Sequence, residues 1–145
     1  MVAGIIMIGS GLGGLIYTYK SVAQEKITTT HDASIPDVAV RGPLTLKAQA
    51  NIIHEHVLKI TEGKTLAEMP QQIPKLDANG SPVLDKDGQP VMTANTARDI
   101  WITATTLITA LKLGIIAYAF SGLVFFMGII FILIGLSFYV LAKRQ

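Results

Sequence analysis

LGIIAYAFSGLVFFMGIIFILIGLSFYVLA, residues 113–142, carries no charged side chain. At about 1.5 Å per residue a helix of this run outreaches the roughly 30 Å hydrocarbon core of a bilayer. It closes on Lys143 and Arg144 and places Tyr118 and Tyr139 about one membrane thickness apart, giving it an interfacial aromatic pair and a basic stop. The run reads as a transmembrane helix, and the other stretches of the chain are judged by their relation to it.

Working outward, the helix has a long polar approach. It is expected to begin near Ala94, capped by Thr93 or Asn95, and to run unbroken into the membrane. Ile100, Ala104, Leu107, Ile108 and Leu111 make one apolar stripe, while Arg98, Thr105, Thr109 and Lys112 share another face. At the bilayer centre Lys112 would cost about 2.5–3.5 kcal/mol, which places it outside or snorkelling to the headgroups and leaves 115–141 as the span. Splitting 100–142 into two spans turning at Ser121-Gly122 is disfavoured, because it would bury Lys112 and move Lys143 and Arg144 outside.

Residues 2–19, VAGIIMIGSGLGGLIYTY, are also free of charge and just long enough to span, ending on Tyr17 and Tyr19. Ser21-Val22-Ala23 has the form of a signal-peptidase site, but no basic segment precedes the apolar run, so the stretch reads as an uncleaved signal anchor. Gly9, Gly11 and Gly14 fit a dinucleotide-binding G-x-G-x-x-G. That fingerprint requires a strand, a turn and a helix with further parallel strands, and the polar middle has no alternating βα pattern. Gly9, Gly13, Ser10 and Gly14 therefore read as small-xxx-small faces that let another helix approach.

The polar middle separates these ends. Nine of the twelve basic and all ten acidic residues lie between Lys20 and Asp99, a balance that offers no positive face for nucleic acid. The chain has no cysteine, which removes disulfides, thiolate metal sites and cysteine nucleophiles. Residues 20–40 mix polar and β-branched side chains without helical period and predict an extended segment or short strand. Residues 44–62 predict an amphipathic helix, with Leu46, Ala50, Ile53, Val57 and Ile60 on one face and Gly63 as its stop. One further turn at 65–69 ends before Pro70 and Pro74.

Residues 76–91 are a tandem duplication, LDANGSPV followed by LDKDGQPV. Asn79-Gly80 and Asp87-Gly88 predict a short hairpin or two consecutive exposed turns. The alternative, calcium loops, lacks the distal glutamate and further oxygen ligands.

The fold class expected is thus a mainly α membrane protein. Two transmembrane helices, N- and C-terminal, flank a small extracytoplasmic α+β domain at 20–93, and the long helix of 94–142 continues out of the membrane. Both termini are expected in the cytoplasm, since a loop of some eighty residues crosses regardless of its charge.

Within the final helix Gly114, Ser121, Gly128, Gly135 and Ala142 recur every seven residues, a seam of small side chains that predicts a closely packed neighbour. The neighbour is either the first segment, through Gly9 and Gly13, or another copy or subunit, and the number of close-packing positions favours contact with more than one helix.

Chemistry is sparse. His31, His54 and His56 are the only histidines, and His54 and His56 point about 200° apart on a helix, so they cannot chelate one metal without residues from a partner. No G-x-S-x-G, P-loop, H-E-x-x-H or intramembrane carboxylate pair occurs, so no catalytic role and no cofactor is expected.

Gly42-Pro43-Leu44, Ala48-Gln49-Ala50, Ile52-Ile53, His56, Leu58, Gly63-Lys64-Thr65 and Ala67-Glu68 resemble a group of small actinobacterial membrane proteins with an apolar segment at each end. Many of these carry the label "aromatic ring-opening dioxygenase LigA". The resemblance covers about 25–69 and the terminal helix, with the duplicated turns as an insertion, and implies a family of unknown function. An iron dioxygenase needs a ligand set, and His56 alone does not provide one. The reading that follows is a non-catalytic subunit of a prokaryotic cytoplasmic-membrane assembly, such as a respiratory or redox complex, or a homo-oligomer. Its partners would be membrane lipid, other membrane subunits or copies of itself. The enzyme-class alternative is an oxidoreductase component that binds metal through His54 or His56 with a partner chain, and an extracytoplasmic sensor ranks last.

Overall fold

A computed structural model describes residues 1–144. The chain is mainly helical, with α1 at Val2–Gln24, α2 at Pro43–Ile60 and α3 at Thr96–Lys143. A two-stranded antiparallel sheet pairs β1, Gln72–Pro74, with β2, Met92–Ala94. Both α1 and α3 are long and apolar enough to cross a membrane. At 48 residues α3 is about 72 Å long, and it passes through Ser121-Gly122 without a break.

Two compact units divide the chain. One comprises Met1–Ile52 with the part of α3 that follows Ile108; the other is Ile53–Ile108.

In the first unit α1 runs five residues past Tyr19. Charge at Lys20 ends the apolar run but not the helix, because 20–24 contains neither proline nor glycine, and Val22 packs at Gly114 of α3. The helix closes where Lys26 turns to φ +52° and donates its N–H to the Ala23 carbonyl. The expected extended segment therefore starts later and is short. Thr28 bridges Ala39, Thr29 N–H donates to Val38 O, and Val40 N–H to Ile27 O. Pro43 opens α2, where a missing N–H costs nothing. The Thr45 hydroxyl accepts from the Arg41 and Gly42 amides at 3.0 and 3.1 Å.

In the second unit α2 ends two residues short of expectation. Gly63 N–H reaches Leu58 O and Glu62 N–H reaches Lys59 O, a double closure in which Glu62 itself, at φ +52°, adopts the left-handed conformation. The turn at 65–69 is a 3₁₀ segment, Leu66–Glu68, with a complete capping box. Thr65 N–H and hydroxyl both bond the Glu68 carboxylate, which holds that carboxyl below its ordinary pKa. Asn95 is the cap of α3, its Oδ1 accepting from Ala97 N–H at 3.1 Å, whereas Thr93 lies within β2. The Asn95 side chain also donates to Pro70 O at 2.9 Å, and Arg98 Nη1 donates to Leu66 O and Met69 O, both at 2.8 Å. These bonds fasten the 66–71 segment to the start of α3.

The duplication forms two consecutive, equivalent turns. In each copy the aspartate Oδ1 accepts two amides of its own turn, Asn79 and Ser81 for Asp77, Asp87 and Gln89 for Asp85. Positive φ falls on Gly80 and Gly88. Lys75, Val83 and Val91, eight residues apart, then close a ring: Lys75 N–H donates to Val91 O, Val91 N–H to Val83 O, and Val83 N–H to Lys75 O, each at 2.8 Å.

Candidate functional site

Two places hold most of the side chains singled out by sequence, and the structure adds a third. The first is the helix seam. In the first unit α1 and α3 pack antiparallel, so closely that an added Cβ would collide at several glycines. At Gly4 it would lie 2.7 Å from the Gly128 carbonyl, and at Gly11 2.6 Å from the Phe125 nitrogen. At Gly128 it would lie 2.8 Å from the Gly4 carbonyl, and at Gly135 2.7 Å from Met1. A Cβ at Gly14 would fall on the Ser121 hydroxyl, and Gly114 faces Leu46 and Val22. Gly114, Ser121, Gly128 and Gly135 thus line one seam, and it is filled by the chain's own α1 and by Leu46.

Gly9 and Gly13 are not in that contact: an added Cβ at either meets nothing within 4 Å. The close face of α1 is instead Gly4, Gly11 and Thr18, all buried and seven residues apart, the same period as the seam opposite. Gly9 lies about 140° around the helix from Gly4 and Gly13 about 200° from Gly11, at 100° per residue. Thr18 can take part because its hydroxyl donates to its own helix at Gly14 O, 2.8 Å away. The residues 9–14 lie within α1, which leaves no strand or turn for a dinucleotide fingerprint.

The second place is an apolar groove within Ile53–Ile108, about 430 Å³ in volume, between α2 and α3. Ile53, Val57 and Ile60 line it from α2, and Ile100, Ala104 and Leu107 from α3. Both stripes were legible, but the structure covers only part of each. Val57, Ala104 and Ile108 are buried, while Ile60, Ile100 and Leu107 remain 56%, 42% and 49% exposed.

The histidines take separate settings. His56 is half-buried along the groove, where Asp99 and Thr103 also lie. His54 is exposed and meets Trp101 edge to face, ring centres 6.1 Å apart. His31 bonds Asp37 at 2.8 Å in an exposed loop. Among the described residues no three His, Asp or Glu side chains gather at metal-ligand spacing.

The third place was not visible in sequence. In the first unit Arg41 is held at three points: its N–H by Thr45, its carbonyl by the Tyr118 hydroxyl, and its guanidinium Nη1 by the Tyr19 hydroxyl at 3.2 Å. Tyr19 ends the charge-free run of α1 and Tyr118 is the sixth residue of the run in α3, both read from the sequence as interfacial aromatics. Nothing in the intervening residues marks Arg41 as their common partner.

These features define a mainly helical chain with two helices suited to a membrane and a small polar unit bearing an apolar groove. No protein-family model, curated protein or solved structure matches it.

Proposed function

We propose that this chain is a non-catalytic integral-membrane subunit of a larger prokaryotic cytoplasmic-membrane assembly. In this reading α1 and α3 form a two-helix anchor with both termini in the cytoplasm, and the polar middle of the chain, 20–93, lies outside. The outward faces of the two helices support the anchor: Ile5, Ile6, Phe120, Phe126 and Phe138 are all more than 60% exposed, a surface suited to lipid and costly in water.

The groove between α2 and α3 carries the subunit role. Its walls are isoleucine, valine, alanine and leucine with His56, Thr96, Asp99 and Thr103 beside them, the exposed isoleucines and leucine lie in the polar part of the chain, and an apolar helix edge of a partner subunit is its natural occupant. The seam no longer argues for a partner helix, since α1 fills it.

The test is extraction from native membranes in mild detergent, native mass spectrometry and identification of every co-purifying chain. A defined hetero-complex that is lost in an Ile100→Glu, Leu107→Glu variant supports the reading. Recovery as a homo-oligomer replaces the partner by a second copy, and recovery as a bare monomer overturns it. Stoichiometric copper, iron or zinc in the same material, lost in His54→Ala, would favour the oxidoreductase component instead.

A further inference from the structure

We infer that Arg41, clamped by Tyr19 and Tyr118, is a binding site for the phosphodiester headgroup of an anionic phospholipid. The inference rests on the membrane reading above, because it depends on where the apolar surface of α1 and α3 ends. On α1 that edge is Tyr19, the last residue before Lys20; on α3 the charge-free run opens at Leu113, and Tyr118, its interfacial tyrosine, stands five residues inside it. Arg41 is bonded to both tyrosines and therefore sits at the headgroup level of both helices.

The geometry fixes an exposed cation there. The backbone of Arg41 is held on both sides, by the Thr45 hydroxyl at its N–H and by Tyr118 at its carbonyl, so the side chain leaves from a set position. His31 takes Asp37 and Lys64 takes Glu62 as ion-pair partners. Of its five guanidinium N–H donors, one is used by Tyr19. Because the Tyr19 oxygen accepts that bond, its own O–H is free to donate. A planar fork with spare donors beside a phenol O–H matches the paired oxygens of a phosphodiester, which an ammonium point charge matches less well. A purely structural pin would need neither the charge nor the exposed position that Arg41 has.

The test uses the full chain reconstituted in nanodiscs of phosphatidylcholine mixed three to one with phosphatidylglycerol. Lipid retained after mild release is counted by native mass spectrometry and normalised to disc composition. Wild type is expected to retain phosphatidylglycerol over phosphatidylcholine by about fivefold, the selectivity one interfacial cation supplies. Arg41→Gln should bring this to parity, Arg41→Lys should retain part of it, and Lys20→Gln, which removes the same charge from an unclamped position, should leave it unchanged. Should Arg41→Gln not fold, Tyr19→Phe serves, since it keeps charge and helix and should still lower the preference. No preference in wild type, or equal losses in Arg41→Gln and Lys20→Gln, would overturn the site. Equal thermal stabilisation of phosphatidylcholine discs by inorganic phosphate would make it a free-anion site and overturn the lipid assignment. Release of the chain from membranes by alkaline carbonate would instead overturn the membrane reading itself.

Discussion

Replacing Gly11 by alanine drives a methyl group into the backbone of α3. The added Cβ would stand 2.6 Å from the Phe125 nitrogen, 2.7 Å from its Cβ and 2.8 Å from its Cα, atoms that no side-chain rotation can move away. Ordinary carbon contacts lie at about 3.5–4.0 Å, so α1 and α3 must part by about 1 Å at that level. The separation also slackens the approaches of Gly4 to Gly128 and of Gly14 to Ser121 on either side. Overpacking of this kind costs roughly 1–3 kcal/mol, against which alanine returns about 0.5–1 kcal/mol of helix propensity. The net expectation is a loss of about 1–2 kcal/mol. Gly13→Ala, two residues on, meets nothing within 4 Å and keeps only the propensity gain. Titration of mild-detergent micelles with sodium dodecyl sulfate, followed by far-ultraviolet circular dichroism and limited proteolysis, ranks the variants. A Gly11→Ala protein as resistant as wild type, or a Gly13→Ala protein more fragile than Gly11→Ala, would mean that α1 presents its other face and would refute the packing described.

Four further outcomes are expected. Asn95→Ala should cost about 1–2 kcal/mol in thermal unfolding, since it removes the cap of α3 and the bond to Pro70 O, and Asn95→Asp should recover the capping part alone. Gln49 is buried, and its Oε1 has no partner among the described residues, so Gln49→Met should raise stability by about 1 kcal/mol in the same assay. The backbone N–H of Thr65, and then its hydroxyl, hold Glu68 below its ordinary pKa of 4.5. The capping box should therefore be fully formed above that pH and loosen as pH falls through the lower folded value, read from the Thr65 amide shift, with Thr65→Ala moving the Glu68 midpoint upward. Gly80→Ala and Gly88→Ala, at φ +78° and +75°, should each cost roughly 1–2 kcal/mol, and by matching amounts, seen as faster amide exchange at Val83 and Val91.

The seam of α3 was legible because small residues every seven positions have little use in an apolar helix except close packing. Its partner face on α1 was not, since Gly4, Gly9, Gly11, Gly13 and Gly14 allow several overlapping spacings. The i, i+4 pair Gly9 and Gly13 fits the familiar small-xxx-small pattern, but the helix matching a seven-residue partner had to use Gly4, Gly11 and Thr18, and a threonine does not look like a small packing residue in sequence. Charge was mistaken for a helix stop at Lys20, where only the apolar surface ends. Both apolar stripes of the groove could be read, but that they meet only partly depends on where the chain between α2 and α3 places them. Arg41 and Tyr118 are 77 residues apart, and no local pattern signals a bond between a backbone carbonyl and a distant phenol.

The ring closed by Lys75, Val83 and Val91 makes the duplicated stretch a detachable module. Lys75 N–H bonds Val91 O immediately beyond the β1–β2 pair Pro74 and Met92, so the chain leaves the sheet and returns to it at neighbouring points. Replacing residues 76–90 by a four-residue hairpin turn should therefore leave the register of the sheet and the seat of Asn95 unshifted. The shorter connection would even lower the closure entropy, by roughly 1 kcal/mol for a fourfold reduction in loop length. Such a socket accepts new sequence at little cost to its surroundings. It is a position where a lineage could double a motif, or delete it, while the helices on either side evolve under their own constraints.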